Sequence, residues 1–438
     1  MATPQPQKTL SVFDSVCIIV GIIIGAGIYE TAPLVAASMG AAPATLAIWL
    51  VGGLIALAGA LNYSELATAY PTSGGDYVYL TRAFGKGTGF LFGWTQLVII
   101  RPGDIALMAF VFGRYASALY PFASGKIIYA AGAIVVLSFI NILGVRQSKW
   151  TQNLLTVIKV VGLLAVIAAG LLSPHPNPAQ QPESQAQGLP TAVPLALILV
   201  LYTFGGWNEM AYVAAEVKNP HRNISRALIL AAVSVTVLYL LANGAFLNAL
   251  GHADMAASQA VAADAITGVF SRHAGRFISI LICISALGAV NGLIFTGSRI
   301  SYALGTEHTL FSRLGRWHDR LGTPIWALVL QAAIALSITL FAGSFLNTIL
   351  YTAPVVWLFF LGTCLSVWVL RRKDSQTSRP FKVPLYPVPT LLFAAACVFM
   401  LYSSAAYAIR QKPVGFCIIT ACLLMGAVVY AASRPSRA

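Results

Sequence analysis

The chain has 438 residues, of which 58% are hydrophobic and 9% charged, with a formal net charge of +14 and a mean hydropathy of +0.79. This composition excludes a soluble globular protein and points to an all-α integral membrane protein. The basic residues are scattered over short loops with no aromatic platform between them, which excludes a nucleic-acid partner.

A hydrocarbon core about 30 Å thick takes roughly 20 apolar residues per helix. Twelve apolar runs fit that measure, near 13–37, 44–69, 88–119, 126–144, 151–172, 193–215, 225–250, 276–303, 324–343, 346–370, 388–408 and 413–431. The first lacks a charged leader followed by a small-residue cleavage site, so it is expected to be a retained helix rather than a signal peptide. An even number of spans puts both termini on one side, and that side carries 18 of the 27 Lys and Arg residues against six on the other. The positive-inside rule then places both termini in the cytoplasm. Cys17, Cys283, Cys364, Cys397, Cys417 and Cys422 all fall within runs and lack the paired spacing of a zinc site. They are expected as small buried apolar residues, with no disulfide, metal or cofactor implied.

In chain order, the first irregularity is GIIIGAGIYE at 21–30. Gly21 and Gly25 form a GxxxG pair, which by itself reads as close helix packing. Gly27 adds a second reading: glycines on both sides of Ala26 loosen the backbone near the middle of the span. A break there frees the amides of Gly25, Ala26 and Gly27 at the start of a new half-helix, where they attract anions. Glu30 follows one turn later. In the third run Arg101 and Asp104 are spaced to neutralise each other. In the fifth, Lys159 lies about 12 Å into the membrane if the span starts near Thr151, too deep for easy snorkelling. A structural lysine paired with a carboxylate is the plain alternative.

The sixth run, PLALILVLYTFGGWNEMAYVAAEVKNP, places Gly205 and Gly206 half-way along, with Glu209 one turn beyond. Interrupted helices in first and sixth place, with two helices left over at the end, predict a transporter built of inverted five-helix repeats. Glu30 and Glu209 are candidate protonation sites or partners for Arg101. Trp207 and Asn208 are expected to brace the break, with Asn208 within reach of a bound substrate. Glu65 and Arg299 lie toward the ends of their spans and read as gate or interface charges, Arg299 close enough to the boundary to reach water.

GIIIGAGIY, the loop YPTSGGDYVYLTRAFG, NILGVRQSKWTQNLLTVIK, FGGWNEMAYVAAEVKNPHRNISRA, GAVNGLIFTGSRISYALG and RPFKVPLYPVP together span about 10–430. In these segments the chain resembles the amino acid, polyamine and organocation superfamily, in its L-type amino acid transporter branch. GWN followed by EVKNP is the specific part of that signature.

The resemblance implies a LeuT-like 5+5 inverted repeat of twelve helices with helices one and six broken. It implies that the amides of Gly25, Ala26 and Gly27 take the carboxylate of an amino acid and that carbonyls near Ile23 and Phe204 take its ammonium. It also implies that Gly205 leaves room for the side chain and that Tyr202 closes over the substrate from outside, if it is more than a packing tyrosine. A lysine at position 159 would fill the space that sodium occupies in sodium-coupled cousins, touching the first break and helix eight, where Ser285 and Asn291 are available. Ala26 departs from the serine common among relatives, so a hydroxyl contact to the carboxylate is absent. The loop GRYASALYPFASGK has no cysteine for a disulfide-linked heavy chain, which suits a bacterial inner membrane.

The expected organisation is a cytoplasmic terminus 1–12, a first repeat 13–172, an extracellular loop 173–192, a second repeat 193–371, a cytoplasmic loop 372–387, two further helices in 388–431 and a cytoplasmic tail 432–438. The expected function is sodium-independent secondary transport of neutral L-amino acids, with exchange favoured. The alternatives are proton-coupled symport of amino acids or polyamines and a membrane-embedded amino acid sensor. No run places a nucleophile beside a base, so no enzyme is expected.

Overall fold

In the computed structural model, which describes residues 6–173, 192–270, 273–341, 345–411 and 413–433, Ser11 opens the first helix with a capping box. Its hydroxyl accepts from the Asp14 amide while the Asp14 carboxylate accepts from the Ser11 amide at 2.9 Å, which satisfies two amides left over at a helix start. α1 (Val12–Ile23) stops at the glycine cluster and α2 (Gly27–Met39) resumes at an angle of 51°. α2 ends on Gly40 in the left-handed region, φ 69°, where glycine is the least strained residue.

α3 (Ala42–Ala69) and a short α4 (Asp76–Phe84) follow. The third run becomes α5 (Lys86–Thr95), a π turn over Gln96–Ile100 and α6 (Arg101–Leu119). Pro102 explains the π turn. Its ring has no amide to donate and would press on the carbonyl four residues back, and the ladder widens so that the Arg101 amide bonds Gln96 O. α7 (Gly125–Leu143) and α8 (Val145–Leu172) complete the first half of the chain.

The sixth run breaks as well. α9 (Val193–Thr203) gives way to turns over 204–208 and a 3-10 segment, Glu209–Glu216. Then come α10 (Pro220–Ala257), bent at Gly251, α11 (Val261–Phe270), α12 (Ala274–Glu307), α13 (Ile325–Phe341), α14 (Phe345–Lys373), α15 (Val388–Gln411) and α16 (Pro413–Ala432).

Every one of the twelve runs holds helix, and the chain is a multi-pass membrane protein. Among the described residues eight helices are long and apolar enough to cross a bilayer, nine if α1 and α2 count as one bent span. α9, α13 and the apolar part of α16 are shorter. Two short helices, α4 and α11, lie in stretches expected as loops. α4 is only 9 residues long, and glycines 74 and 75 with positive φ turn the chain into it. The loop 173–192 lies, apart from its two end residues, outside the described residues, as do Arg434 and Arg437. Cys417 is exposed, against expectation, and the other five cysteines are buried.

The helices form two groups. α1, α2, α3, α9 and α10 pack on one another; α6, α7, α12 and α13 form the second group, and α8 touches both. Small residues bring these helices close: a Cβ on Gly162 of α8 would sit 2.3 Å from Leu281 of α12, and one on Gly292 of α12 2.5 Å from Ile22 of α1. The outer faces of α7 and α8 expose Val136 (57%), Phe139 (59%) and Val161 (59%), an apolar belt suited to lipid.

Candidate functional site

The two breaks adjoin within the first helix group, Gly27 against Thr203 and Gly206 against Ile22. Around the first, the Ile24 amide bonds Val20 O and the Gly25 amide turns back to Ile23 O at 2.8 Å. The amides of Ala26, Gly27 and Ile28 have no hydrogen-bond acceptor among the described residues. Gly25 was expected among the free amides; the tight turn consumes its donor, and Ile28 takes its place. A Cβ on Gly25 would meet only the Met108 sulfur, 3.8 Å away, so there is space beside it. Gly21 of the same GxxxG pair does the opposite, with Gln152 and Thr156 pressed onto it.

Ile23 O, expected to receive an ammonium, already accepts from the Gly25 amide and from the Tyr239 hydroxyl at 2.9 Å, which uses both lone pairs. Tyr239 reaches the second break too, at 3.4 Å from Thr203 O. The Thr31 and Thr203 hydroxyls lie 2.9 Å apart, tying α2 to α9. Sequence reasoning missed Tyr239, Thr31 and Thr203, since each reads as an ordinary helix residue until the breaks are superposed in space.

At the second break the Gly205 amide bonds Tyr202 O and the Phe204 carbonyl has no donor among the described residues. Gly206 has φ 109° and sits against Ile22, which a Cβ would approach to 2.7 Å. Trp207 packs edge-on against Tyr63 at 4.9 Å and against Phe393 at 5.3 Å, a brace for the turn. The Asn208 amide donates to the Tyr212 hydroxyl, which donates to Asp76 at 2.6 Å. Tyr63 and Thr363 also donate to Asp76, a wholly buried carboxylate. Its position in a loop motif gave no hint of this. Tyr202 is 37% exposed although it lies at the inner end of α9.

Lys159 is wholly buried. Its ammonium donates to the carbonyls of Gly21 at 2.7 Å, Ile24 at 3.0 Å and Ser285 at 2.9 Å. The three oxygens satisfy its three donors and need no carboxylate. The Ser285 hydroxyl, an expected contact, has no partner among the described residues. Asn291 does not join Lys159; it bonds Asn141, Ser148 O and Gln152 instead, holding α12 to α7 and α8.

The remaining charges pair differently from the expected scheme. Arg101 makes no ion pair with Asp104 among the described residues; it crosses to Glu209 and donates to both its oxygens at 2.9 and 3.0 Å, with the Thr296 hydroxyl on the same carboxylate at 2.6 Å. The π turn and Pro102 aim Arg101 this way, a tertiary effect invisible in the i to i+3 spacing. Glu30 is not Arg101's partner either, because it pairs with Arg114 and accepts from Tyr115 at 3.3 Å. Arg299 does not reach water. It is 0% exposed and clamps Glu216 with bonds of 2.7 and 3.1 Å. Glu65 is held by Arg371 and by the Val383 amide at 2.8 Å. No group of three His, Cys, Asp or Glu side chains gathers as a metal site among the described residues.

The sequence pattern of the amino acid permease family matches residues 10–428. The chain belongs to that family. It is 32% identical to the mouse b(0,+)-type amino acid transporter 1 over 92% of this chain and 83% of the relative. The human cystine/glutamate transporter is also 32% identical, over 94% and 83%. The human large neutral amino acids transporter small subunit 2 is 32% identical over 97% and 80%. These relatives are L-type transporters, in keeping with the superfamily resemblance, and the family consists of transporters rather than enzymes.

Proposed function

We propose that the chain is a sodium-independent secondary transporter that exchanges neutral L-amino acids by alternating access. The observation that carries this reading is the first break: three amides without an acceptor among the described residues open α2 beside an unfilled space at Gly25, and the Phe204 carbonyl of the adjoining second break has no donor among them either. A carboxylate suits the amide end and an ammonium the carbonyl end. With Ile23 O occupied, Phe204 O is the ammonium acceptor. Lys159 supplies a fixed positive charge between the first break and α12, which removes the need for a bound sodium ion.

The two helix groups would be the moving parts of a rocking mechanism, each drawing helices from both five-helix inverted repeats, with two more helices at the end and twelve spans in all. Glu30 and Glu209 are both engaged in ion pairs, which favours exchange over proton symport. The basic side would be cytoplasmic, holding both termini, in a bacterial inner membrane, without a disulfide-linked heavy chain.

Purified protein in liposomes tests the reading. Uptake of labelled leucine or alanine is expected to require an unlabelled amino acid inside and to be indifferent to sodium and to a proton gradient. Uptake into empty liposomes driven by either gradient would overturn it.

A further inference from the structure

Asp104 sits near the middle of a membrane span and makes no hydrogen bond or ion pair among the described residues. Its expected partner, Arg101, gives one of its two terminal nitrogens to both oxygens of Glu209 and makes no ion pair with Asp104 among the described residues. A bare carboxylate at that depth is costly unless something compensates it.

Its surroundings show what does. Along α6 the residues Arg101, Pro102, Gly103, Ile105, Ala106, Leu107 and Ala109 are buried, whereas Asp104, Met108, Phe112 and Tyr115 are half-exposed. These four are spaced four, four and three residues apart and form one stripe of the helix. The stripe faces helix one rather than lipid: Met108 is the neighbour of Gly25, and Tyr115 bonds Glu30. The half-exposed stripe therefore borders the internal space beside the first break, and the Asp104 carboxylate stands in its wall. Tyr202, Arg101 and Glu209 lie within electrostatic range of it.

We infer that Asp104 reads the substrate side chain and that the site accepts cationic L-amino acids of lysine or ornithine type beside neutral ones. This rests on the reading that an amino acid sits at the breaks. With Asp104 ionised, Arg101, Glu209 and Asp104 together carry one net negative charge; a cationic side chain brings the cluster to neutrality, and an acidic one worsens it. Distance sets the length. Asp104 is four residues from Met108, about 6 Å along the helix, and side chains on a helix lean toward its N-terminus, away from Gly25. A short hydroxyl side chain anchored at Gly25 falls short, whereas the four-carbon stem of lysine covers the gap.

The test uses the full chain in liposomes loaded with unlabelled leucine, with labelled lysine and its uncharged counterpart norleucine supplied outside. Wild type is expected to take up both, and Asp104→Asn to lower the lysine-to-norleucine uptake ratio tenfold or more. A wild type that exchanges norleucine but not lysine, or a variant with an unchanged ratio, overturns the inference. Should Asp104→Asn be inactive with both, wild-type competition decides: lysine displacing norleucine at equal or lower concentration supports the assignment, and failure to displace it counts against. Should no amino acid exchange at all, the exchanger reading fails, and equilibrium binding to the purified chain judges Asp104 separately, with lysine required to bind more tightly than norleucine.

Discussion

The Lys159 ammonium stands 2.7 Å from the Gly21 carbonyl oxygen and 3.0 Å from that of Ile24, so a side chain of α8 closes the carbonyl end of a helix that stops in mid-membrane. Gly288, against which a Cβ would lie 2.8 Å from the ammonium, makes room for it on α12. Lys159→Ala removes a charged donor from three buried carbonyls, each such bond contributing about 1.5–3 kcal/mol. Initial uptake in liposomes is expected to fall tenfold or more with unchanged membrane insertion; normal uptake would show that the break holds without it.

Glycines at the two breaks should respond differently to a methyl group. Gly206→Ala combines a left-handed backbone, φ 109°, with a contact to Ile22 at 2.7 Å, and is expected to abolish uptake and lower the thermal midpoint in detergent. Gly25→Ala meets only Met108 at 3.8 Å. It should fold normally and act by filling the space, raising KM several-fold for large substrates and less for alanine. Equal effects of the two variants on the thermal midpoint would contradict this division.

Tyr239→Phe removes the hydroxyl that bonds Ile23 O at 2.9 Å and Thr203 O at 3.4 Å. One hydrogen bond is worth about 0.5–1.5 kcal/mol net, so a three- to tenfold rise in KM is expected from labelled-leucine kinetics. A fall in kcat alone would place Tyr239 in the conformational step instead.

Glu216 and Arg299 form a pair with both side chains 0% exposed. Removing one partner of such a pair costs about 3–5 kcal/mol because the other charge is left buried alone. Glu216→Ala is expected to lower the thermal midpoint by several degrees. Joining it to Arg299→Met should recover part of that loss, and strictly additive losses would refute the pairing argument.

How much of the site was legible in the sequence varies by residue. The breaks were readable because paired glycines inside an apolar run have few other uses, and Lys159 because no lipid-facing lysine sits so deep. The partners were not. Arg101 and Asp104 looked matched by spacing, yet a π turn and Pro102 send Arg101 to Glu209, 108 residues away. Asn291 sits in the right helix but turns to α7 and α8, and Asp76, in a loop motif, gathers three hydroxyls from distant elements.

By itself the sequence determined that this is a many-helix membrane protein, where its helices run and where two of them part, because hydropathy and helix propensity are local and lipid penalises every exception. Only the tertiary structure decided which amides lack an acceptor among the described residues, which carbonyl is already taken and which carboxylate makes no ion pair among them. Those outcomes depend on donors and acceptors that meet across helices far apart in the chain, a pairing that no local pattern encodes.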